Sequence, residues 1–71
     1  MNIKTIHYLS LDDCINNKIP NNEHVVIPKI GEHVEFYIVG LHNKYKTYVV
    51  EDVVFQDFNE TIQVILKDWT K

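Results

Sequence analysis

Between Tyr45 and Gln56 the chain runs twelve residues without a glycine or proline, and two valine pairs, Val49-Val50 and Val53-Val54, flank Glu51-Asp52. Aromatic and β-branched residues at this density favour extended backbone. Successive side chains of a strand point to opposite faces, so each valine pair sends apolar surface to both. A small protein can bury both only if the strand changes sheet or direction along its length. A bulge or sharp bend near Glu51-Asp52 would do this. A chain built around such a strand points to a small barrel or rolled sheet.

The remaining segments support that reading. Glu32 to Val39 alternates cleanly, with Val34, Phe36 and Ile38 on one face and His33, Glu35 and Tyr37 on the other. Thr61 to Lys67 repeats the pattern with Ile62, Val64 and Leu66 inward. Ile3 to Leu9 is a first strand and His24 to Ile27 a short second one. Gly40 to Lys44 forms the loop of a β-hairpin, and Asp57 to Glu60 a turn. Pro28 fixes φ in the link to Glu32, and Gly31 can take the positive φ a tight turn needs. Ser10 resembles a helix cap followed by Asp12 and Asp13. Leu11, Ile15 and Ile19 recur every four residues, so one short helical turn is expected near residues 11–17 before Pro20 stops it. The expected fold is a mainly all-β single domain over residues 1–71, a small five-stranded antiparallel barrel or rolled sheet. Its expected core is Ile3, Ile6, Leu9, Val25, Ile27, Val34, Phe36, Ile38, Val50, Val54, Phe55, Ile62, Val64 and Leu66.

Composition narrows the function. A 71-residue chain buries little surface, so it needs a well-packed core or an associate. Cys14 is the only cysteine, which precludes a disulfide within the chain and fits a reducing, cytoplasmic setting. No apolar run is long enough to cross a bilayer as a helix. The chain has no Arg and a net charge of −3, which weighs against nucleic acid as a partner. The absence of Ala and Arg beside abundant Ile, Asn and Lys suggests an AT-rich gene.

The run Ile27-Pro28-Lys29-Ile30-Gly31-Glu32-His33-Val34, followed by a hairpin and Tyr48-Val49-Val50-Glu51-Asp52-Val53, resembles a P-x-x-G-E-x-V … Y-x-V-x-x-V pattern of small phage-type proteins. The resemblance covers about residues 24 to 67. It implies an SH3-like barrel and a phage or mobile-element origin, and says little of activity.

Chemistry-bearing constellations are sparse. His7, His24, His33 and His42 show none of the i, i+2 or i, i+4 spacings that bring two metal ligands together. No metal or cofactor is expected. Cys14 follows Asp12 and Asp13, whose charge disfavours a thiolate, and it reads better as a small buried residue. Glu51 and Asp52 point to opposite faces of a strand, so they cannot share a substrate. There is no glycine-rich phosphate loop. A non-enzyme is therefore expected.

The aromatics divide. Tyr37 lies opposite its strand's core face, and Trp69 shares the parity of Ile65. Such rings either cap the open ends of a barrel or anchor a partner. The preferred expectation is an accessory protein that binds and blocks a host protein, possibly a defence enzyme. Tyr37, Tyr45, Trp69, Asp57 and Glu60 would carry the contact, and Glu51, Asp52 and Asp68 complete an acidic set. A first alternative is an oligomer that sequesters a small nucleotide-derived signal with Lys29, Lys44, Lys46 and Tyr48. A second is a barrel that stacks nucleic-acid bases on aromatics beside Lys44 and Lys46. The edge strands are the expected sites of any homo-oligomer.

Overall fold

A computed structural model describes residues 3–10, 15–22, 24–38 and 44–69. The strands are β1 (Thr5–Ser10), β2 (Ile15–Pro20), β3 (His33–Ile38), β4 (Lys44–Gln56) and β5 (Thr61–Asp68), with a 3-10 turn over Asp57–Asn59. All five belong to one sheet in the order β2-β1-β5-β4-β3. It curls into a half-barrel, as the all-β reading anticipates. The β1–β2, β3–β4 and β4–β5 pairings are antiparallel, but β1 and β5 run parallel, with Thr5 opposite Thr61 and Leu9 opposite Ile65. The sheet is thus mixed, where antiparallel pairing throughout was expected.

The long strand carries the expected irregularity at Glu51-Asp52, but it stays within one sheet and does not pass to a second. Val50 pairs with Leu66 and Asp52 with Ile65, so Glu51 is an extra residue in the ladder. The bulge changes the parity of everything after it. Tyr48, Val50, Val53 and Phe55 share the concave face with Leu66, Val64 and Ile62, while Val54 pairs with Gln63 and is exposed. Val54 was expected in the core, and Val53 takes that place.

The fully buried side chains are Ile6, Ser10, Tyr48, Val50 and Val64, joined by Ile15, Thr61 and Leu66; Ser10, expected to cap a helix, instead ends β1 inside the core. Val25, Ile27, Val34, Phe36 and Ile62 are half-buried against them, as are Tyr8 and Ile19. Phe55 is half-buried on the same face, whereas Leu9 faces Asn16 and Ile65 on the convex side and Ile3 precedes β1. Edge-on ring contacts run across the interior from Tyr8 to Phe36 at 5.2 Å and from Phe36 to Tyr48 at 6.0 Å. Such geometry suits the ring quadrupoles. It carries the interior from β1 to β3 across the sheet's curl.

Two local expectations change. Residues 11–14 of the expected helical turn lie outside the described residues, as do Cys14, His42 and positions 39–43 of the hairpin loop. Ile15 to Asn17, however, belong to β2 and are not helical. A four-residue recurrence lies close to one helical turn and equals two strand repeats, and here Ile15 and Ile19 share a strand face. The second strand expected at His24–Ile27 is instead a link outside the sheet, whose His24 and Val25 amides donate to the Asn22 side-chain and backbone oxygens. Val25 and Ile27 dip into the core while Val26 stays exposed, so the segment alternates in burial as a strand does although it is not assigned to the sheet. The side chain of Ile38 lies outside the described residues.

Turns tie the sheet ends together. Gly31 takes φ 92°, and a Cβ there would meet nothing within 4 Å, so backbone conformation and not crowding favours glycine. The Gly31 amide donates to the Val50 carbonyl, and the Val50 amide to the Glu32 carbonyl. At the far end Glu60 is left-handed, with φ 52°. Its carbonyl accepts from the Lys4 amide at 2.8 Å, and its carboxylate lies 3.6 Å from the Lys4 ammonium. That exposed ion pair contributes little.

Burial pushes the Tyr8 phenol above its ordinary value of 10.0. The folded state therefore holds this proton more tightly than the unfolded chain. The resulting stability is fully present below about pH 10 and is lost as pH rises through the higher folded value. Denaturant midpoints measured between neutral and strongly alkaline pH should fall more for the native chain than for Tyr8→Phe, and parallel curves would contradict the assignment.

Candidate functional site

The convex face of β3 and β4 gathers three of the five residues expected to meet a partner. Tyr37 pairs directly with Tyr45, their ring centroids 5.0 Å apart and tilted by 54°. Next along the ladder come Glu35 opposite Thr47, then His33 opposite Val49. The chain leaves β5 with the Trp69 amide donating to the Thr47 carbonyl, and the Trp69 ring lies 4.8 Å from His33. Tyr37, Tyr45 and Trp69 remain 51%, 67% and 37% exposed. The result is a stripe over β3, β4 and the end of β5, with tyrosines at one end and the His33–Trp69 pair at the other. Because the rings stand on the convex side, they do not fill the interior.

Strand alternation produces this grouping. Positions 33, 35 and 37 of β3 oppose 49, 47 and 45 of β4, and all six turn away from Phe36 and Tyr48. Trp69 joins because Asp68 faces inward beside Tyr48, which sends the next residue outward. Cross-strand aromatic pairs reinforce such a sheet by about 0.2–1 kcal/mol each.

Asp57 and Glu60 lie elsewhere. They bracket the turn at the opposite end of β4 from Tyr45, along a molecule whose longest extent is 38 Å. One compact contact cannot use both ends. The turn carries a feature the sequence reading passed over: Phe58 is 86% exposed between the acidic residues. A hydrophobic residue inside a polar turn was the available signal.

The lysine set expected for a small ligand does not assemble. Tyr48 is fully buried, which removes it as a ligand-binding surface. Its ring packs in the core because positions 46 and 48 share the concave parity. Lys46 bends over that ring, 5.5 Å from its centroid, and forms an ion pair with Asp68. Its ammonium donates to Asp68 Oδ2 at 3.2 Å, while Oδ1, at 3.1 Å, lies outside hydrogen-bond geometry. Lys29 sits in the link ahead of β3, where its amide donates to the Glu32 carboxylate. Tyr45 and Lys46 project from opposite faces of β4, so the expected stacking surface beside the lysines is split by the sheet.

Of the remaining titratable groups, His7 is hydrogen-bonded to Asn16 across β1 and β2. Among the described residues no three His, Cys, Asp or Glu side chains group as a metal site. Among them, too, no helix is long and apolar enough to cross a membrane. No protein-family model matches the chain, and neither a curated protein nor a solved structure is significantly similar to it.

Proposed function

We propose that this chain is a non-catalytic binding protein that docks on a protein partner through the convex face of β3–β4 and blocks the surface it covers. The observation that carries this reading is the exposed group of Tyr37 and Tyr45 on paired strands with Trp69 just past the end of β5. Tyrosine and tryptophan are the usual anchors of protein interfaces, because they bury much area at little cost in side-chain freedom. The resemblance of Ile27–Val34 and Tyr48–Val53 to small phage-type proteins favours a viral or mobile-element role, with a bacterial host protein, such as a defence enzyme, as the proposed partner.

The test begins with capture of a stoichiometric partner from a bacterial host and measurement of its dissociation constant. Tyr37→Ala/Tyr45→Ala/Trp69→Ala should weaken that complex by about a hundredfold or more, as loss of hot-spot rings does. Its melting temperature should fall by several degrees, because the Tyr37–Tyr45 and His33–Trp69 ring contacts are lost, so binding is compared at a temperature where circular dichroism shows the variant folded. Phe58→Ala, at the other end, should bind normally. Undiminished binding by the triple variant would overturn the assignment of this face.

A further inference from the structure

The sheet is open, so it ends in two edges, β2 and β3. They are not equivalent. The Asn21 amide donates to the Lys4 carbonyl, which sets the ladder phase so that Asn16, Lys18 and Pro20 direct their backbone groups away from β1. A lysine and a proline, which has no N–H, occupy two of these three outward positions. Such residues are the usual means of making an edge unattractive to another strand. The β3 edge has no such protection. The Val50 amide donates to the Glu32 carbonyl, so the same phase rule turns the backbone groups of His33, Glu35 and Tyr37 outward. All three residues are exposed, and none is lysine or proline.

We propose that β3 is a pairing edge, and that its occupant is β3 of a second copy, laid antiparallel across a two-fold axis to extend the sheet. Outward N–H and C=O groups on alternate residues fit an antiparallel strand. Charge selects the register. With the axis at Glu35, two carboxylates would oppose each other directly, which is destabilising. With the axis at Val34, His33 faces Glu35 of the second copy at both ends, a pairing of hydrogen-bond donor or cation with carboxylate. Val34 then meets its own counterpart on the concave side. This register makes the edge complementary to itself, as a two-fold interface requires. Pairing uses the backbone at the rim of the sheet, and His33 and Glu35, whose side chains set the register, stand on the same convex face as the aromatic stripe, so the dimer would join two such faces edge to edge.

Light scattering during size exclusion, over a series of concentrations, tests this. The native chain should approach twice its 8.4 kDa as concentration rises. Glu35→Pro removes an outward N–H that β4 does not use, a position where edge strands tolerate proline. It should keep the native circular dichroism and remain monomeric. If that variant does not fold, His33→Lys/Glu35→Lys sets lysine against lysine in the chosen register. It should raise the dimer dissociation constant about tenfold or more. A native chain that stays monomeric to about millimolar concentration would overturn the proposal. So would a folded Glu35→Pro or double-lysine variant that dimerises as the native chain does.

Discussion

Tyr48→Ala should leave no cooperatively folded protein at ambient temperature. Tyr48 is fully buried on the concave face, opposite Asp68 of β5. Phe36 meets its ring edge-on and Lys46 lies above it, so one side chain joins β3, β4 and β5. Truncating a buried aromatic costs about 3–5 kcal/mol, from lost transfer energy and the cavity left behind. A core of this size supplies roughly the same amount in total. Thermal unfolding followed by circular dichroism should therefore show no sigmoidal transition for Tyr48→Ala. Tyr48→Phe, which keeps the ring, should still melt cooperatively. A sharp transition for the alanine variant within a few degrees of the native one would mean that the core does not depend on this ring.

The second large effect separates two neighbours. Val53→Asp should destabilise by about 2–3 kcal/mol, the order expected when a polar group enters an apolar interior without a partner. Val54→Asp should stay within about 0.5 kcal/mol of the native chain, as surface substitutions usually do. Val53 faces Val64 on the concave side, whereas Val54 opposes Gln63 outside. The Glu51 bulge alone decides which is which. Urea midpoints for the two variants would measure the difference, and equal losses would place the bulge elsewhere in the strand.

How far the fold could be read ahead follows the range of the interactions. The strands containing Val34–Ile38, Tyr45–Gln56 and Thr61–Lys67 are set by local alternation, and each appears within a residue or so of its expected bounds. The irregularity at Glu51-Asp52 was legible from two polar residues set between two valine pairs, although it turns one valine of each pair inward and does not bury both. Its consequence for Val54 was not, since either residue of the pair can turn inward until the extra position is fixed. β2 was hidden because its outward positions are polar and its two isoleucines fit a helical spacing equally well. The β1–β5 pairing has no local signal at all. Of the residues expected to meet a partner, Tyr37 and Trp69 were identifiable on the outer face from parity, and Tyr45 stands beside Tyr37 as its ladder partner. The distance separating Asp57 and Glu60 from them depends on the full length of β4. Tyr48 was taken for surface because it stands close to lysines in sequence, although alternation places it with Phe36.

The parallel contact between β1 and β5 also bears on how the molecule is made. Ile6 reaches its neighbour Ile62 only after nearly all the intervening chain has been synthesised. On the ribosome, β1 and β2 can form a hairpin early, and β3 and β4 another, but the strand that joins them emerges last. Until then the apolar faces of both hairpins are open to solvent and to each other's wrong edges. Pairings this remote in sequence form slowly and prolong such exposure. A nascent chain stalled before β5 would be two unjoined ribbons and a natural substrate for chaperones or proteases.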